Sequence, residues 1–216
     1  MTDVTAEESV TTDESPRTRN PRGQGDRLRE ELIAAAAELL SSAAHPDDVS
    51  IRAVAKAAGV SPTATYRHFS DRDELVHAAV GSCFSEFASE ILEATASVAD
   101  PFERLRAAGR SYLDYAMADH GHYRVLFSNP VPMHTDLVEA DSAGSAAFDQ
   151  LVEVVQACLD AGARTRTDDA TYLSFQVWTW MHGIVDLLIT HPHMDWPAAE
   201  QLIDDVAETL GLVRPV

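Results

Sequence analysis

The stretch VSIRAVAKAAGVSPTATYRHFSDRDELVHAAV, residues 49–80, has the pattern of two short helices joined by a glycine turn and followed by a longer helix. Ser50 is a good N-cap, and apolar residues recur at helical spacing over the next two turns. Gly59 stands where a helix ends in the left-handed region, and Ser61 with Pro62 starts the next helix. These signals predict a helix-turn-helix, which presents its second helix to the major groove of DNA.

The helix that follows this unit is predicted to be long. The run Ser70–Asp73 is a capping-box pattern with acidic residues in the first turn. Apolar residues then recur every four positions, at Leu75, Ala79, Cys83 and Phe87. We therefore predict a fourth helix from about residue 70 to about residue 99. Such a helix is long enough to carry a tilt from the C-terminal half of the chain to the DNA-facing end.

Three motifs in this region resemble the DNA-binding domain of the TetR family of bacterial transcriptional repressors. Ala55–Ser61 matches the A-x-x-A-G-V-S pattern, Tyr66–Phe69 matches the x-Y-x-H-F pattern, and Arg72–Leu75 matches the basic-acidic helix start. The resemblance covers roughly residues 25–80. It implies a three-helix DNA-binding domain over residues 25–72.

By position, the resemblance implies that the recognition helix, the helix before it and the flanking helix starts contact DNA. These residues are Ser50, Arg52, Ser61, Pro62, Thr63, Thr65, Tyr66, Arg67, His68 and Arg72. Ser50 and Arg72 lie at helix starts, where phosphate is favoured. Arg52 is the residue that we expect to read a base, because a guanidinium can bond both acceptors of guanine.

The net charge of −19 over 216 residues argues at first against nucleic acid, because cations drive binding to phosphate. The charge is unevenly distributed, however. Residues 17–72 hold nine Arg or Lys and seven Asp or Glu, residues 1–16 hold five acids, and residues 73–216 hold seven bases and 23 acids. Acidic residues placed away from the candidate DNA surface would orient the protein on the duplex. The alternative is that these residues only keep the protein soluble.

Residues 1–24 are rich in Thr, Ser, Asp, Pro and Gly and show no periodicity, so we predict a disordered N-terminal arm. Arg17, Arg19 and Arg22 alternate just ahead of the first helix. Such an arm can reach phosphates or the minor groove, or it can be a solvated tail, and the sequence leaves both readings open.

From residue 73 to residue 216 the chain is helical in pattern and is punctuated by Pro and Gly. The first helix is predicted at residues 26–42, and the fifth to ninth at 101–119, 121–128, 142–161, 167–190 and 197–210. No stretch has the pattern of a strand. The sequence therefore predicts an all-α fold, with an N-terminal helix-turn-helix domain and a larger C-terminal helical domain.

The predicted eighth helix contains a second motif, Trp178-Thr179-Trp180-Met181-His182-Gly183. Together with Tyr123–Ser128, it resembles the C-terminal domain of the TetR subgroup named for its Trp-His-Gly motif. That resemblance implies a role in effector binding and dimerisation for residues 73–216. His182 either contacts the effector or is hydrogen-bonded inside the bundle. A cavity there would be lined by aromatics, methionines and a few polar groups, and the candidates are Tyr112, Met117, Tyr123, Phe127, Phe175, Trp178, Met181 and His182.

A palindromic operator requires two recognition helices held about one DNA turn apart, so we expect a homodimer with a two-fold axis. The predicted eighth and ninth helices offer the longest apolar surfaces of the C-terminal half, and we predict that they form the interface. Gly183 would then lie near the axis. The expected interface positions are Leu187, Leu188, Val206 and Leu210.

Several other classes of protein have no support in the sequence. No apolar run reaches the roughly eighteen residues of a membrane helix, and the acidic N-terminus is unlike a secretory signal, so we expect a cytoplasmic protein with no membrane partner. Cys83 and Cys158 are expected to be packing thiols rather than a disulfide. His191 and His193, with Asp195, are expected at the surface rather than around a metal ion, and no cofactor is expected.

The sequence lacks the GxSxG elbow, the phosphate loop, and the HExxH and CxxC arrangements of common enzymes. Together with the family resemblance, this predicts a ligand-responsive transcriptional regulator and not an enzyme. The expected mode is a repressor released from a palindromic operator by a small molecule. The alternatives are a helical small-molecule-binding protein without DNA binding, an enzyme on a helical bundle, and a transcriptional activator of the same fold.

Overall fold

The computed structural model describes residues 24–43, 45–127 and 138–215, and it describes the backbone alone at residues 24 and 138–143. All regular structure within these ranges is helical, as predicted. The helices are α1 (Gln24–Ser42), α2 (Ile51–Ala57), α3 (Pro62–Thr65), α4 (Arg72–Ala96), α5 (Pro101–Ala118), α6 (His120–Phe127), α7 (Val138–Asp160), α8 (Ala170–Thr190) and α9 (Ala199–Leu210). The predicted N-terminal arm, with Arg17, Arg19 and Arg22, lies outside the described residues.

The helix-turn-helix forms through the caps that the sequence predicts. The Ser50 hydroxyl accepts a hydrogen bond from the backbone amide of Ala53, and the Ser61 hydroxyl accepts one from that of Ala64. Between the two helices Gly59 has φ of +69°, in the left-handed region that a residue with a Cβ rarely adopts. The α2–turn–α3 geometry is therefore encoded locally.

The start of α4 differs from the prediction by one residue. The N-cap is Asp71 rather than Ser70, because the Asp71 carboxylate accepts from the amide of Glu74 at 2.9 Å. The Glu74 carboxylate in turn accepts from the amide of Ser70 at 2.6 Å, which completes a reciprocal cap. α4 ends at Ala96, three residues before the predicted end, since Asp100 already caps α5 through the amides of Phe102 and Glu103.

The C-terminal helices follow the predicted order, and the starts of two of them are shifted by three residues or more. α7 begins at Val138, four residues before the predicted start. α8 begins at Ala170, three residues after the predicted start, because Asp169 is its N-cap and accepts from the amide of Tyr172 at 2.9 Å. The Thr167 hydroxyl accepts from the amide of Asp169, and this local bond keeps that segment out of the helix.

The two domains share α4. Its first turns pack against α1 and complete an N-terminal core around Leu32, Val54, Phe69 and Leu75, all of which are fully buried. Further along, α4 packs against α5 and α7, while α8 packs against α7 and α9. The short helix α6 lies against both α1 and α4. α4 and α6 therefore join the C-terminal bundle to the helix-turn-helix.

Within the described ranges, no helix combines the length and the apolar content that crossing a membrane requires.

Candidate DNA-facing surface and effector cavity

The outer face of α2 and α3 is positively charged. Residues 50–70 contain Arg52, Lys56 and Arg67 and no Asp or Glu, and all three cations are exposed. Tyr66 is 58% exposed on the same face, which is unusual for an aromatic side chain. Cations and exposed hydrogen-bonding groups on a protruding short helix are what a phosphate backbone and base edges require.

Most of the predicted DNA-contact residues lie on this surface. Ser50, Ser61, Pro62 and Thr63 are exposed, and His68 is half-buried. The two serine hydroxyls accept capping bonds, and each keeps its own hydrogen for donation. The positive excess that we predicted for the whole region depends on the N-terminal arm, because residues 24–72 hold six bases and seven acids.

Thr65 is a correction to the predicted DNA surface. Its side chain is fully buried, and its hydroxyl has no hydrogen-bond partner among the described residues. On a helix, residues two positions apart point to nearly opposite faces, so Thr65 points inward when Thr63 points outward. The prediction that Thr65 contacts DNA is therefore wrong.

Arg72 is bonded to its own chain. Its Nε donates to the carbonyl of Val49 at 2.7 Å, its Nη2 donates to the carbonyl of Pro46, and its Nη1 pairs with Asp73 at 3.0 Å. These bonds hold the loop before α2 against the start of α4. We therefore now expect Arg72 to act by positioning Ser50 and α2, rather than by the direct phosphate contact that the sequence predicted.

A cavity of about 690 Å³ lies inside the C-terminal bundle, between α4, α5, α6, α7, α8 and α9. Of the predicted effector residues, five line it: Tyr112, Phe127, Trp178, Met181 and His182. Its size falls within the range of pockets for small molecules. The walls are mainly aromatic and aliphatic, which suits an apolar ligand body.

Three predicted cavity residues lie elsewhere. Met117 is 44% exposed and Phe175 is 49% exposed, and neither lines the cavity. Met117 follows Tyr112 by five positions on α5, which turns it toward solvent. Phe175 packs on the outer side of Phe148, with ring centroids 4.6 Å apart. Tyr123 is buried behind the wall rather than in it.

Sequence reasoning missed the walls that α4, α7 and α9 contribute. The missed residues are Phe84, Phe87, Ile91, Phe148, Leu151, Val154, Ile203, Val206 and Ala207. The spacing of Phe84, Phe87 and Ile91 on α4 was a usable signal, because it widens the predicted apolar stripe on the side that faces the cavity. Val206, which we predicted at the dimer interface, is 3% exposed and faces the cavity, so that prediction is wrong.

His182 is held at the cavity wall by two tyrosine hydroxyls. The Tyr123 hydroxyl lies 3.0 Å from His182 Nδ1, the Tyr112 hydroxyl also contacts Nδ1, and the two hydroxyls are 3.2 Å apart. Burial raises the pKa of both tyrosines, so both hydroxyls keep their hydrogens. Burial lowers the pKa of His182, which favours the neutral ring.

The hydroxyl hydrogens determine which ring nitrogen of His182 carries its proton. If Nδ1 accepts, both tyrosine hydrogens find an acceptor within the group. If Nδ1 carried the hydrogen, one tyrosine hydrogen would lack a partner among the described residues. Nε2 therefore carries the proton, and it has no partner in the described part of the chain. His182 thus combines both readings of the sequence: it is fixed by the core and offers a donor at the cavity wall.

The outer face of α8 is apolar and open. Tyr172, Trp180 and Leu187 are exposed on it, and a Cβ at Gly183 would meet no atom within 4 Å. α9, in contrast, turns polar residues outward and buries Ile203 and Val206.

Two sequence-family models match the chain. The model of bacterial regulatory proteins of the tetR family matches residues 32–79, and that of the tetracyclin repressor-like C-terminal domain matches residues 105–210. Together they cover more than two thirds of the chain. The protein, a helix-turn-helix protein with a cavity in its C-terminal domain, therefore belongs to the TetR family. The narrower resemblance to the Trp-His-Gly subgroup stays a prediction.

Individual relatives agree with this assignment. The HTH-type transcriptional activator FasR of Mycolicibacterium smegmatis is 32% identical over 108 residues, which are 48% of this chain and 47% of that protein. The chain spans about half or less of the length of the curated relatives it matches. A protein of unknown function from Rhodococcus sp. RHA1 has the same fold, with a TM-score of 0.72, 24% identity, and coverage of 92% of this chain and 97% of that one. The structure of AibR in complex with isovaleryl coenzyme A and operator DNA has a TM-score of 0.63, 19% identity, and coverage of 85% and 98%.

Proposed function

We propose that this protein is a homodimeric repressor that binds a palindromic double-stranded DNA operator and leaves it when a small molecule enters the C-terminal cavity. The observation that carries the proposal is the outer face of residues 50–70, which presents three exposed cations, no acid and an exposed tyrosine on a helix-turn-helix. Membership of a family of bacterial regulatory proteins supports DNA as the partner of this face. The site of action is then the bacterial cytoplasm.

The DNA contacts in this proposal come from the exposed part of the unit and from His68. Arg52 reads a base from α2, while the remaining residues contact phosphates or base edges. They are Ser50, Ser61, Pro62, Thr63, Tyr66, Arg67 and His68. Lys56, which the sequence prediction omitted, adds a further exposed cation on α2.

The partner of the open face of α8 is a second copy of this chain. Tyr172, Trp180 and Leu187 are large apolar side chains that water would cover in an isolated protomer, and a contiguous patch of this kind marks an interface. The open space around Gly183 lets a second α8 approach closely. A two-fold axis through this face gives two recognition helices, as a palindrome requires.

The effector occupies the cavity around His182. AibR, which shares the fold, was solved with both isovaleryl coenzyme A and operator DNA, and this supports a small-molecule effector in a protein of this shape. Binding can alter DNA affinity only if the two shapes of the protein differ in their affinity for the effector. α4 and α6, which reach from the cavity to α1, are the elements that carry the difference.

A transcriptional activator is the second candidate, because the relative FasR is named as one. Both candidates bind DNA, and they differ in the sign of the effect on transcription. Transcription in vitro from a promoter that carries the operator separates them. A repressor lowers the yield of transcript, and the effector restores it; an activator raises the yield.

The first test is binding of full-length protein to DNA from upstream of its own coding sequence, measured by gel shift against unrelated competitor DNA. We expect a specific complex for the wild type and a weaker one for Arg52→Ala. A folded dimer that binds the upstream fragment no better than competitor DNA would contradict the proposal for that operator. If such a dimer binds no DNA at all, the alternative of a small-molecule-binding protein without DNA binding stands.

A further inference from the structure

Two polar groups, Arg104 and His182, lie at separate points of the wall of the effector cavity, and most of the remaining wall is apolar. We propose that the cavity binds an elongated molecule with an anionic group at one end and a hydrogen-bond acceptor at the other. The chemical class is a medium-chain fatty acid with an oxygen near the end of its chain. Its carboxylate lies at Arg104 and its chain oxygen at His182. The inference rests on the proposed function, because it identifies the effector of that same cavity.

Arg104 supplies the cationic end. Its Nε donates to the carbonyl of Val98 at 2.9 Å, which fixes the side chain at the cavity wall. Its two terminal nitrogens have no hydrogen-bond partner among the described residues. The neighbouring Arg106 differs, since it is paired with Glu103 at 3.0 Å and Asp204 at 2.8 Å. Arg104 therefore has a planar pair of donors left for a carboxylate, which can take both.

His182 supplies the neutral end. Its Nδ1 is occupied by the hydroxyls of Tyr112 and Tyr123, so Nε2–H is the donor left for a ligand. The ring of Phe127 lies edge-on to the imidazole, with centroids 4.2 Å apart, and keeps this end of the cavity apolar apart from that donor. A second carboxylate is not expected here, because the ring is neutral and Asp186 lies one turn further along α8. A hydroxyl or keto oxygen fits the single N–H.

The separation of Arg104 and Tyr112 along α5 is our guide to the length of the ligand, because Tyr112 bonds His182. At 1.5 Å per residue the backbones of Arg104 and Tyr112 lie about 12 Å apart along the helix axis. Leu105 and Ala108 line the wall between them. A zigzag carbon chain with bonds of about 1.5 Å spans this distance with about eight to ten carbon atoms. A cavity of about 690 Å³ accommodates such a chain.

Among the residues that line the cavity, one acidic side chain opposes the carboxylate. Asp100, at the start of α5, is paired with Arg214 and caps that helix. The acidic side chain that lines the cavity is Glu153 of α7. Cys158, just over one turn later, contacts the carbonyl of Pro101 at 3.4 Å, so this part of α7 lies beside the Arg104 end. No ion pair joins Glu153 to Arg104 in the described structure. Glu153 therefore weakens the binding of an anion at Arg104, and its removal is expected to strengthen that binding.

The test is calorimetric titration of the full-length protein, without DNA, with 10-hydroxydecanoate, decanoate and 1,10-decanediol. A charge-assisted bond is worth about tenfold or more in affinity, and a neutral one several-fold. We expect 10-hydroxydecanoate to bind about tenfold more tightly than the diol and several-fold more tightly than decanoate. Arg104→Gln should weaken binding of both acids by about tenfold and binding of the diol much less, because a hydroxyl accepts a weaker bond from a guanidinium than a carboxylate does.

The two remaining variants test the ends separately. Glu153→Gln should tighten both acids and leave the diol unchanged, whereas His182→Phe should remove the preference for 10-hydroxydecanoate over decanoate. Equal affinity of the wild type for the acid and the diol, or acid affinity unchanged in Arg104→Gln, would overturn the proposal. Arg104 is only half-buried, so we expect Arg104→Gln to fold. Titration of that variant therefore tests the proposal even if His182→Phe fails to fold.

A gel shift with ligand-free protein distinguishes failure of the proposed ligand class from failure of the proposed regulatory function. A protein that binds operator DNA and none of the three probes refutes this ligand class alone. One that binds the acids as expected and no DNA refutes the proposed regulator and leaves the cavity assignment in place.

Discussion

At the scale of single residues, the neighbours of a side chain determine its chemistry here. Tyr112 and Tyr123 are neutral donors because burial raises the pKa of each, and they fix the ring orientation of His182. Burial in turn lowers the pKa of His182. The three groups stabilise one another only while the imidazole is neutral, since protonated Nδ1 cannot accept a hydrogen bond.

We predict that stability falls more steeply with acidification in the wild type than in His182→Gln. Because the folded-state pKa of His182 is lowered, the unfolded chain binds more protons as the pH falls. The stabilisation of the folded state by neutral His182 is fully present above the ordinary histidine pKa of about 6.5. This stabilisation is lost as the pH falls below that value. Urea unfolding at a series of pH values from neutral to about 5 measures this. Parallel pH profiles for the two proteins would contradict the assignment.

Replacement of Arg52 should alter sequence preference. If its guanidinium bonds guanine, Arg52→Ala weakens operator binding by about 1–3 kcal/mol and relaxes the preference at one position. Lys56→Ala, on the same helix and equally exposed, is the control, because it should weaken all sequences alike. Fluorescence anisotropy with a panel of singly substituted operators gives both results. Equal losses on operator and random DNA for Arg52→Ala would exclude base reading.

Arg72→Ala should act through the fold rather than through phosphate. It removes the bonds to the carbonyls of Val49 and Pro46, so both the melting temperature and the DNA affinity are expected to fall. Arg67→Ala, in contrast, should keep the melting temperature and lower the salt dependence of binding by about one ion. Thermal melting and titrations at several salt concentrations separate the two. An unchanged melting temperature for Arg72→Ala, together with a reduced salt dependence of DNA binding, would support the phosphate contact that the sequence predicted.

At the scale of elements, α6 is a second connection between the domains beside α4. One side of α6 contacts α1: the Arg124 guanidinium donates to the carbonyl of Ser41 at 2.9 Å. Its other side carries Tyr123, which bonds His182, and Phe127, which lines the cavity. The sequence suggested α4 alone as the helix that carries a tilt from the C-terminal half of the chain to the DNA-facing end. In the structure, α6 contacts both His182 and α1, so a ligand that moved His182 would act on α6 directly and through it on α1.

The packing of α6 on α1 depends on Gly121. A Cβ there would lie 2.5 Å from the carbonyl oxygen of Ser41, which is closer than atoms can approach. Gly121→Ala is therefore expected to lower the free energy of unfolding by about 1–3 kcal/mol. Gly144→Ala is the matched control, because its Cβ would meet Phe84 at an ordinary 3.7 Å. Chemical denaturation should find the control neutral or stabilised by up to about 1 kcal/mol; equal effects would exclude a tight contact.

At the scale of the whole molecule, assembly determines whether the DNA-facing surfaces work as a pair. We predict that Gly183→Arg yields a folded monomer, since the space around Gly183 is open in the protomer and a second α8 would fill it in the proposed dimer. Ser89→Arg, at an exposed position of α4, is the control for the added charge. Sedimentation at micromolar concentration should find the control dimeric. A dimeric Gly183→Arg would move the interface away from this face.

Much of the fold could be predicted from the sequence because its signals are local. Ser50, Gly59 and Ser61 encode the helix-turn-helix through capping bonds and one left-handed residue, and each acts within four positions along the chain. Helix boundaries were less predictable where two caps compete. At the start of α8, the bond between Thr167 and Asp169 delays the helix by three residues.

The sequence by itself thus determined the all-helical fold, the glycine turn, the capped recognition unit and the cation-rich face of residues 50–70. Only the tertiary structure decided that Thr65 points into the core, that Arg72 binds its own loop and that Val206 faces a cavity. The physical reason is how far apart along the chain the interacting residues lie. Caps and turns depend on neighbours in sequence, whereas the walls of the cavity come from six helices whose packing brings together residues more than a hundred positions apart.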